Sequence, residues 1–414
     1  MTIDSLTLTR FFIAILLLLI SAHFFGSFFS RFRMPKVVGE IFGGLIFGPT
    51  LFGHFSPSLY QTIFLNQGQL LSAIYWLGLV LLMFSSGFEI ERSFDKKDKR
   101  AITALVIGTT MVPFIFGWIS TYFFDLEKIV GPENNILSLK LIVVVAIAVT
   151  SIPVISKIFL DLGIIHTRFA KITLATATIH DIILWVFVSI ATGLVSSKVL
   201  SVRDISIHVI VSVLFFVTVL VFIPKLIKFI GQSKFDRMAA SNGPAFSILI
   251  LLLFTVMASL LEVNLVFGAF LAGIVVNFIK SSQMDDAKLH IKKFSMAFFI
   301  PIYFAVVGIK LDLIHHLDAF FLVAFILFAV TVQTIAVLLT AKFLKYNWLS
   351  SANLAIVLND RGGPCIVLAS VAFDLGIISE SFFVTLILLA IVTSLTAGSW
   401  LKYVLNNGWQ LLDK

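Results

Sequence analysis

The chain has 414 residues, 59% of them hydrophobic and only 13% charged, with a mean hydropathy of +1.07. That balance excludes an ordinary water-soluble domain and describes an all-α polytopic membrane protein. The net charge of +8 does not call for nucleic acid, because a membrane protein concentrates Lys and Arg in its cytoplasmic loops; the lipid bilayer is the expected partner. The single cysteine, Cys365, excludes an intramolecular disulfide and a thiolate metal cluster.

At about 20 apolar residues per span, the chain reads as thirteen helices, near residues 9–30, 36–53, 69–88, 100–124, 138–160, 167–197, 205–231, 243–262, 264–280, 293–312, 316–342, 348–376 and 378–405. The first apolar run, from Phe11 to Phe29, ends at Arg31 without a small-residue cleavage site, so it is a membrane helix rather than a signal peptide. The connections after helices 1, 3, 7 and 9 hold Arg31, Arg33, Lys36; Arg92, Lys96, Lys97, Lys99, Arg100; Lys225, Lys228, Lys234, Arg237; and Lys280, Lys288, Lys292, Lys293. Those after helices 2, 8 and 12 hold no basic residue. The positive-inside bias then sets the amino terminus outside and the carboxyl terminus in the cytoplasm. This orientation depends on residues 243–262 and 264–280 being separate helices, joined only around Glu262 and Asn264. With no targeting presequence, a bacterial cell inner membrane is the expected location. No hydrophilic stretch is long enough for a soluble domain, so regulation by a cytosolic domain would need a separate subunit.

One span contains a charge where charge is costly. Asp181 is the only charged residue between Lys171 and Lys198, and a carboxylate near the bilayer midplane costs at least ~2.5 kcal/mol. It persists there with a partner, a bound ion, a proton or access to water, which makes Asp181 the principal candidate site. His180 precedes it. A helix turns about 100° per residue, so the two lie on adjacent faces, His180 with Thr173 and Thr176, Asp181 with Thr178; both can line one cavity without touching.

Two spans look broken. Residues 138–160 contain Thr150-Ser151-Ile152-Pro153, and residues 348–376 contain Asn359-Asp360-Arg361-Gly362-Gly363-Pro364. Proline removes a backbone donor and glycine favours irregular backbone; such backbone is tolerated at membrane depth where protein or water satisfies it. The breaks fall in helices 5 and 12, an odd number of spans apart, so the chain crosses in opposite directions at the two places. Inverted repeats, helices 4–6 and 11–13, with two crossed discontinuous helices follow from that spacing, and with them a secondary transporter whose site lies at the crossing. Asp360 and Arg361 are expected to pair or to bind backbone there. Lys310 is expected to snorkel to the interface, and Glu40 and Glu89, near span ends, to be solvated or interfacial.

In chain order, Pro35-Lys36-Val37-Val38-Gly39-Glu40-Ile41 to Gly48-Pro49, Leu77 to Phe84 with Gly87-Phe88-Glu89, Thr150 to Ile155, Gly268 to Gly273, Pro301-Ile302-Tyr303-Phe304 with Gly308 and Asp312, and Arg361-Gly362 resemble the signatures of the monovalent cation:proton antiporter-2 family. The resemblance covers nearly the whole chain. It implies the sodium/proton antiporter fold, with a core domain around 69–197 and 293–405 moving against a scaffold and dimerisation domain around 1–60 and 205–280 of a homodimer. It further implies that Asp181 alternately binds a cation, Na+ or K+, and a proton, with no cofactor. Thr150 and Ser151 would add oxygen ligands suited to an alkali cation, and Pro153, Gln333, Asp360 and Arg361 would support the crossing.

Two positions depart from the family pattern. Members usually precede the aspartate with Asp, Asn or Gln where this chain has His180, and members with the Asp-Asp form tend to carry a lysine where this chain has Gln333. The expected neutral pair is His180 with Gln333, giving electroneutral exchange, with His180 structural, pH-sensing or proton-carrying. A cation channel or regulatory membrane domain of the same fold is the alternative, distinguished by cation flux without obligatory proton movement. An organic-anion carrier is disfavoured by the central carboxylate, and an enzyme by the lack of a ligand set around His180-Asp181.

Overall fold

Apolar runs of this length, in a medium offering no water to the backbone, satisfy their N–H and C=O groups within helices. The computed structural model describes residues 4–31, 34–89, 96–196, 202–225, 232–279 and 281–413; Arg33, Arg92, Lys228 and Lys280 of the basic connections lie outside them. Among the described residues, β structure is limited to the isolated bridge between Val130 and Ile378. Also among the described residues, eleven helices are long and apolar enough to cross a membrane, against the thirteen expected, and Leu265–Phe278 is a shorter apolar one. The protein is a multi-pass membrane protein. The expected helix over 205–231 is Val202–Val217, continued by a π turn over Thr218–Phe222.

Two boundaries were decided by local chemistry. The Asn264 side chain accepts from the N–H groups of Val266 and Phe267 and starts a new helix, while Glu262 takes a positive φ of 55°, so Gln232–Leu260 and Leu265–Phe278 are separate. Residues 281–292, taken as part of a basic connection, instead form the helix Ser282–Ala297. The Ser281 side chain caps it through the Met284 N–H, and Met284, Ala287, Ile291 and Ser295 bury one stripe at helical spacing. A second helix, Phe299–Ile309, follows after one non-helical residue, Phe298. Lys292 meets Glu89 at 2.5 Å, which ties the end of helix Gly68–Phe88 to the polar helix.

The chain divides into two compact units, Met1–Ile90 with Ile210–His316, and Glu91–Val209 with Leu317–Lys414. The helix Gly68–Phe88 and the pair Ser282–Ile309 therefore group with the first unit, not with the residues the sequence assigned to a core. Close backbone approach is the reason. A Cβ on Gly87 would stand 2.5 Å from the Phe270 carbonyl oxygen, and Gly273 reaches back against Phe84 and Gly87. A Cβ on Gly308 would meet the Ile41 carbonyl, and one on Gly44 the Ala305 carbonyl, with the glycine Cα atoms facing each other. Glu40 is buried rather than solvated, 8% exposed. The Lys310 ammonium lies 3.9 Å from the Tyr75 ring centroid, a cation–π contact. Just beyond it, Asp312 accepts from the backbone of Ile314 and His315 and from His315 Nδ1 at 2.7 Å. Burial opposes the Asp312 charge, but the His315 bonds prevail and hold the carboxyl below its usual value.

The second unit contains helix Lys99–Ser120, the broken helix Ile136–Ala148 and Ile152–Asp161, and helix Arg168–Ser196. It repeats the pattern with Ala319–Phe343, the broken helix Trp348–Val357 and Gly362–Asp374, and Glu380–Asn406. These are the six helices expected as inverted repeats. The chain's end returns to the second broken helix, where Asn353 donates to the carbonyls of Gln410 and Leu411 and accepts from Trp400.

Replacing Gly308 by Ala drives a methyl into a backbone carbonyl that no rotamer can move. Overpacking of this kind costs ~1–3 kcal/mol, so Gly308→Ala is expected to lower the Tm of the detergent-purified protein, read by intrinsic fluorescence on heating.

Candidate functional site

The two breaks meet. Helix Ile136–Ala148 ends where Val149 turns to extended backbone, and Pro153 at the second position of Ile152–Asp161 starts the next half, its missing N–H being one a helix start leaves unbonded anyway. On the other span, Leu358 to Arg361 separate the halves, and Gly362 takes φ +36°. A Cβ on Gly362 would stand 2.5 Å from Ser151 Oγ and 2.6 Å from Val154 Cγ2, so glycine is required there both by conformation and by space.

Each half-helix that ends at the crossing leaves carbonyls without intrahelical donors and a partial negative charge. Arg361, fully buried, supplies what the first one lacks. Its Nε donates to Ala146 O at 3.2 Å, one terminal nitrogen to Ile147 O and Ala329 O at 2.9 Å, and the other to Asn359 O at 3.0 Å and Asn359 Oδ1. All five guanidinium N–H groups are thereby used. Asn359, so gripped, donates through Nδ2 to Val330 O and Thr334 Oγ1. Of the two roles expected for Arg361, backbone binding is the one its donors perform. Asp360, also fully buried, accepts from Ser394 Oγ at 2.6 Å.

Gln333 does for the second half-helix what Arg361 does for the first: its Nε2 donates to Leu358 O at 3.3 Å. The expected His180–Gln333 hydrogen bond is not formed. The amide of Gln333 is drawn to an unfilled helix-end carbonyl, and His180 turns instead to Thr150. Thr150 Oγ1 lies 3.3 Å from His180 Nδ1 and 3.5 Å from Asp181 Oδ1. His180 and Asp181 thus share one neighbour in the break without pairing with each other, as their adjacent faces allow. Asp181 is 4% exposed and His180 and Thr150 are fully buried. Ser151 is buried with its hydroxyl unbonded, against Gly362.

Sequence inspection missed Ser394 and the Thr393 hydroxyl, which accepts from the Arg361 N–H. Serine and threonine in an apolar helix usually bond their own preceding turn, so only the position of the neighbouring break could have singled them out.

The family described as sodium/hydrogen exchanger, transmembrane, matches residues 13–407. The chain is 30% identical over 409 residues to the potassium/proton antiporter 1 of Saccharomyces cerevisiae, covering 94% of this chain and 46% of that protein. It is 24% identical to the sodium/proton antiporter NhaS4 of Synechocystis, covering 95% and 96%. To the Na(+)/H(+)-K(+) antiporter GerN of Bacillus cereus it is 22% identical, covering 95% and 96%. The chain therefore spans about half the length of the Saccharomyces protein and nearly all of the two bacterial ones. Among solved structures, the sodium proton antiporter MjNhaP1 of Methanocaldococcus jannaschii shares the fold, with a TM-score of 0.63 at 14% identity over 94% of this chain and 96% of that one.

Arg361→Lys offers three donors where five are used, leaving at least two buried acceptors unfilled at ~1–3 kcal/mol each. Its expected outcome is a markedly lower Tm in detergent and reduced yield, against a smaller loss for Gln333→Ala, which frees one carbonyl.

Proposed function

Because the chain belongs to the transmembrane sodium/hydrogen exchanger family, a family of monovalent cation:proton antiporters, we propose that it is a secondary active antiporter exchanging Na+ or K+ for H+ by alternating access. It is a carrier, not an enzyme, working in a cell inner membrane as a homodimer, with the unit that holds the crossing as cargo-bearing core and the other as scaffold. The observation that carries this is the buried Asp181 carboxylate beside the Thr150 hydroxyl of the first break.

The charge balance of the site supports coupling. Arg361 is committed to carbonyls, and Asp181 is left to be neutralised by cargo. A cation or a proton does this equally, and the two compete for the same oxygens. Empty, the site keeps a bare carboxylate in a poorly solvated place, which penalises reorientation; only the loaded states cross. One cation then exchanges for one proton, and because each leaves the site with the same net charge, the exchange is electroneutral. Thr150 adds a hard oxygen ligand to the cation.

Cation-driven pH change inside proteoliposomes, with Na+, K+ and Li+ and the voltage clamped by ionophore, tests the proposal. Wild type is expected to exchange and Asp181→Asn to fall to the rate of empty liposomes. Cation flux that persists without proton movement would favour a channel. The wild-type rate is expected to be unchanged between clamped voltages; a voltage dependence that persists in His180→Gln would exclude electroneutral exchange through Asp181 alone.

A further inference from the structure

Asp312 is a signature residue that the exchange site does not use. It follows helix Phe299–Ile309 and ties a turn with its own side chain: Oδ1 accepts from the N–H groups of Ile314 and His315 at 3.1 Å, and Oδ2 meets His315 Nδ1 at 2.7 Å. Its carbonyl accepts from the His316 N–H at 3.2 Å. Thr50, beyond the end of helix Lys36–Phe47, clasps the same turn. The Thr50 hydroxyl donates to Leu311 O at 2.7 Å and accepts from the Leu313 N–H at 3.1 Å, one bond on each side of Asp312. The Leu311 side chain is buried and its N–H bonds back to Gly308 O. The N–H groups of Leu311, Leu313, Ile314, His315 and His316 are therefore all bonded within the first unit.

The next two residues differ. The N–H groups of Leu317 and Asp318 meet no acceptor among the described residues, and both residues are exposed. Bonding resumes at once beyond them. The Asp318 side chain accepts from the Phe321 N–H and its carbonyl from the Leu322 N–H, each at 2.9 Å, which caps helix Ala319–Phe343.

This interval is also where the chain passes from the first unit to the second, between His316 and Leu317. The other passages are at Ile90–Glu91, outside the described residues, and at Val209–Ile210, in the middle of helix Val202–Val217. A continuous helix holds its interior by a hydrogen bond at every residue. Unbonded irregular backbone turns about φ and ψ without breaking any, which is what a hinge requires.

On the exchange function proposed above, we infer that Leu317 and Asp318 are a hinge for reorientation of the cargo-bearing unit, and that Thr50 and Asp312 are positioning residues that fix its first-unit end. The clasp keeps the pivot short. Without it, the freely turning backbone extends back to Leu311, and the motion loses its fixed origin. Thr50 and Asp312 act on the rate of reorientation, while cargo affinity is set separately at Asp181.

Amide hydrogen exchange of the purified protein, read by peptide mass spectrometry, locates the hinge. Residues 313–316 are expected to exchange at least about fivefold more slowly than 317–318, the size of one net hydrogen bond; protection that runs on through 318, or is missing from 313–316, overturns the hinge. Thr50→Val keeps the side-chain shape without the hydroxyl and is expected to remove the protection at Leu313. In proteoliposomes it is expected to lower kcat about fivefold with the cation KM unchanged. Thr50→Ser, which keeps the hydroxyl, is expected to stay within about twofold of wild type. Asp312→Ala is expected to follow Thr50→Val, and Asp312→Asn, whose amide oxygen still accepts from Ile314 and His315, to follow Thr50→Ser. If kcat is unmoved in Thr50→Val and Asp312→Ala, or if KM shifts with it, while Asp181→Asn still abolishes exchange, the positioning roles fall and the antiporter stands. If wild type exchanges nothing, the antiporter falls, and the boundary of protection still decides whether Leu317 and Asp318 are the flexible passage.

Discussion

A helix broken inside a membrane must find donors for its last carbonyls, and here a single buried guanidinium supplies most of them. Arg361 belongs to the second broken helix and spends three of its five N–H groups on Ala146, Ile147 and Ala329. It joins the two breaks and a neighbouring helix chiefly through backbone carbonyls, with the Asn359 side-chain oxygen as its one side-chain acceptor. With its donors so committed, the arginine has none left for Asp181. Keeping Arg361 for architecture leaves Asp181 without a guanidinium partner, and it is to this carboxylate that the proposed exchange assigns the ion or proton.

Gln333 extends the same logic. Where a lysine would bring a second charge, the amide brings one donor for Leu358 O. The crossing is therefore held by one charged and one neutral cap, each at the end of a half-helix. His180, without a bond to Gln333, lies instead 3.3 Å from the Thr150 hydroxyl.

Much of this was legible before any coordinates. Hydropathy found the spans, and Pro153 and the Asn359–Pro364 run marked both breaks, because irregular backbone in a span has few physical causes. Asp181 stood out because charge there is expensive. Three things were hidden. The helix Ser282–Ala297 is polar enough to read as a loop, and its buried stripe emerges only when Ser281 is recognised as a cap. The unit boundaries depend on which glycines face each other, and sequence shows that a residue is glycine without naming its neighbour. The partner of His180 depended on a competition between Thr150 and Gln333 that a helical carbonyl decided.

The glycine contacts of the first unit have a further consequence. Gly44, Gly87, Gly273 and Gly308 lie among the signatures by which the chain resembles its relatives, yet each makes its closest approaches to backbone atoms of neighbouring helices. What those signatures record is interaxial spacing. On the function proposed above, a paralogue that retained every one of them but lost the carboxylate at the position of Asp181 would fold into the same bundle and carry nothing. Assembly and the proposed coupling would then be inscribed in different residues and could decay independently.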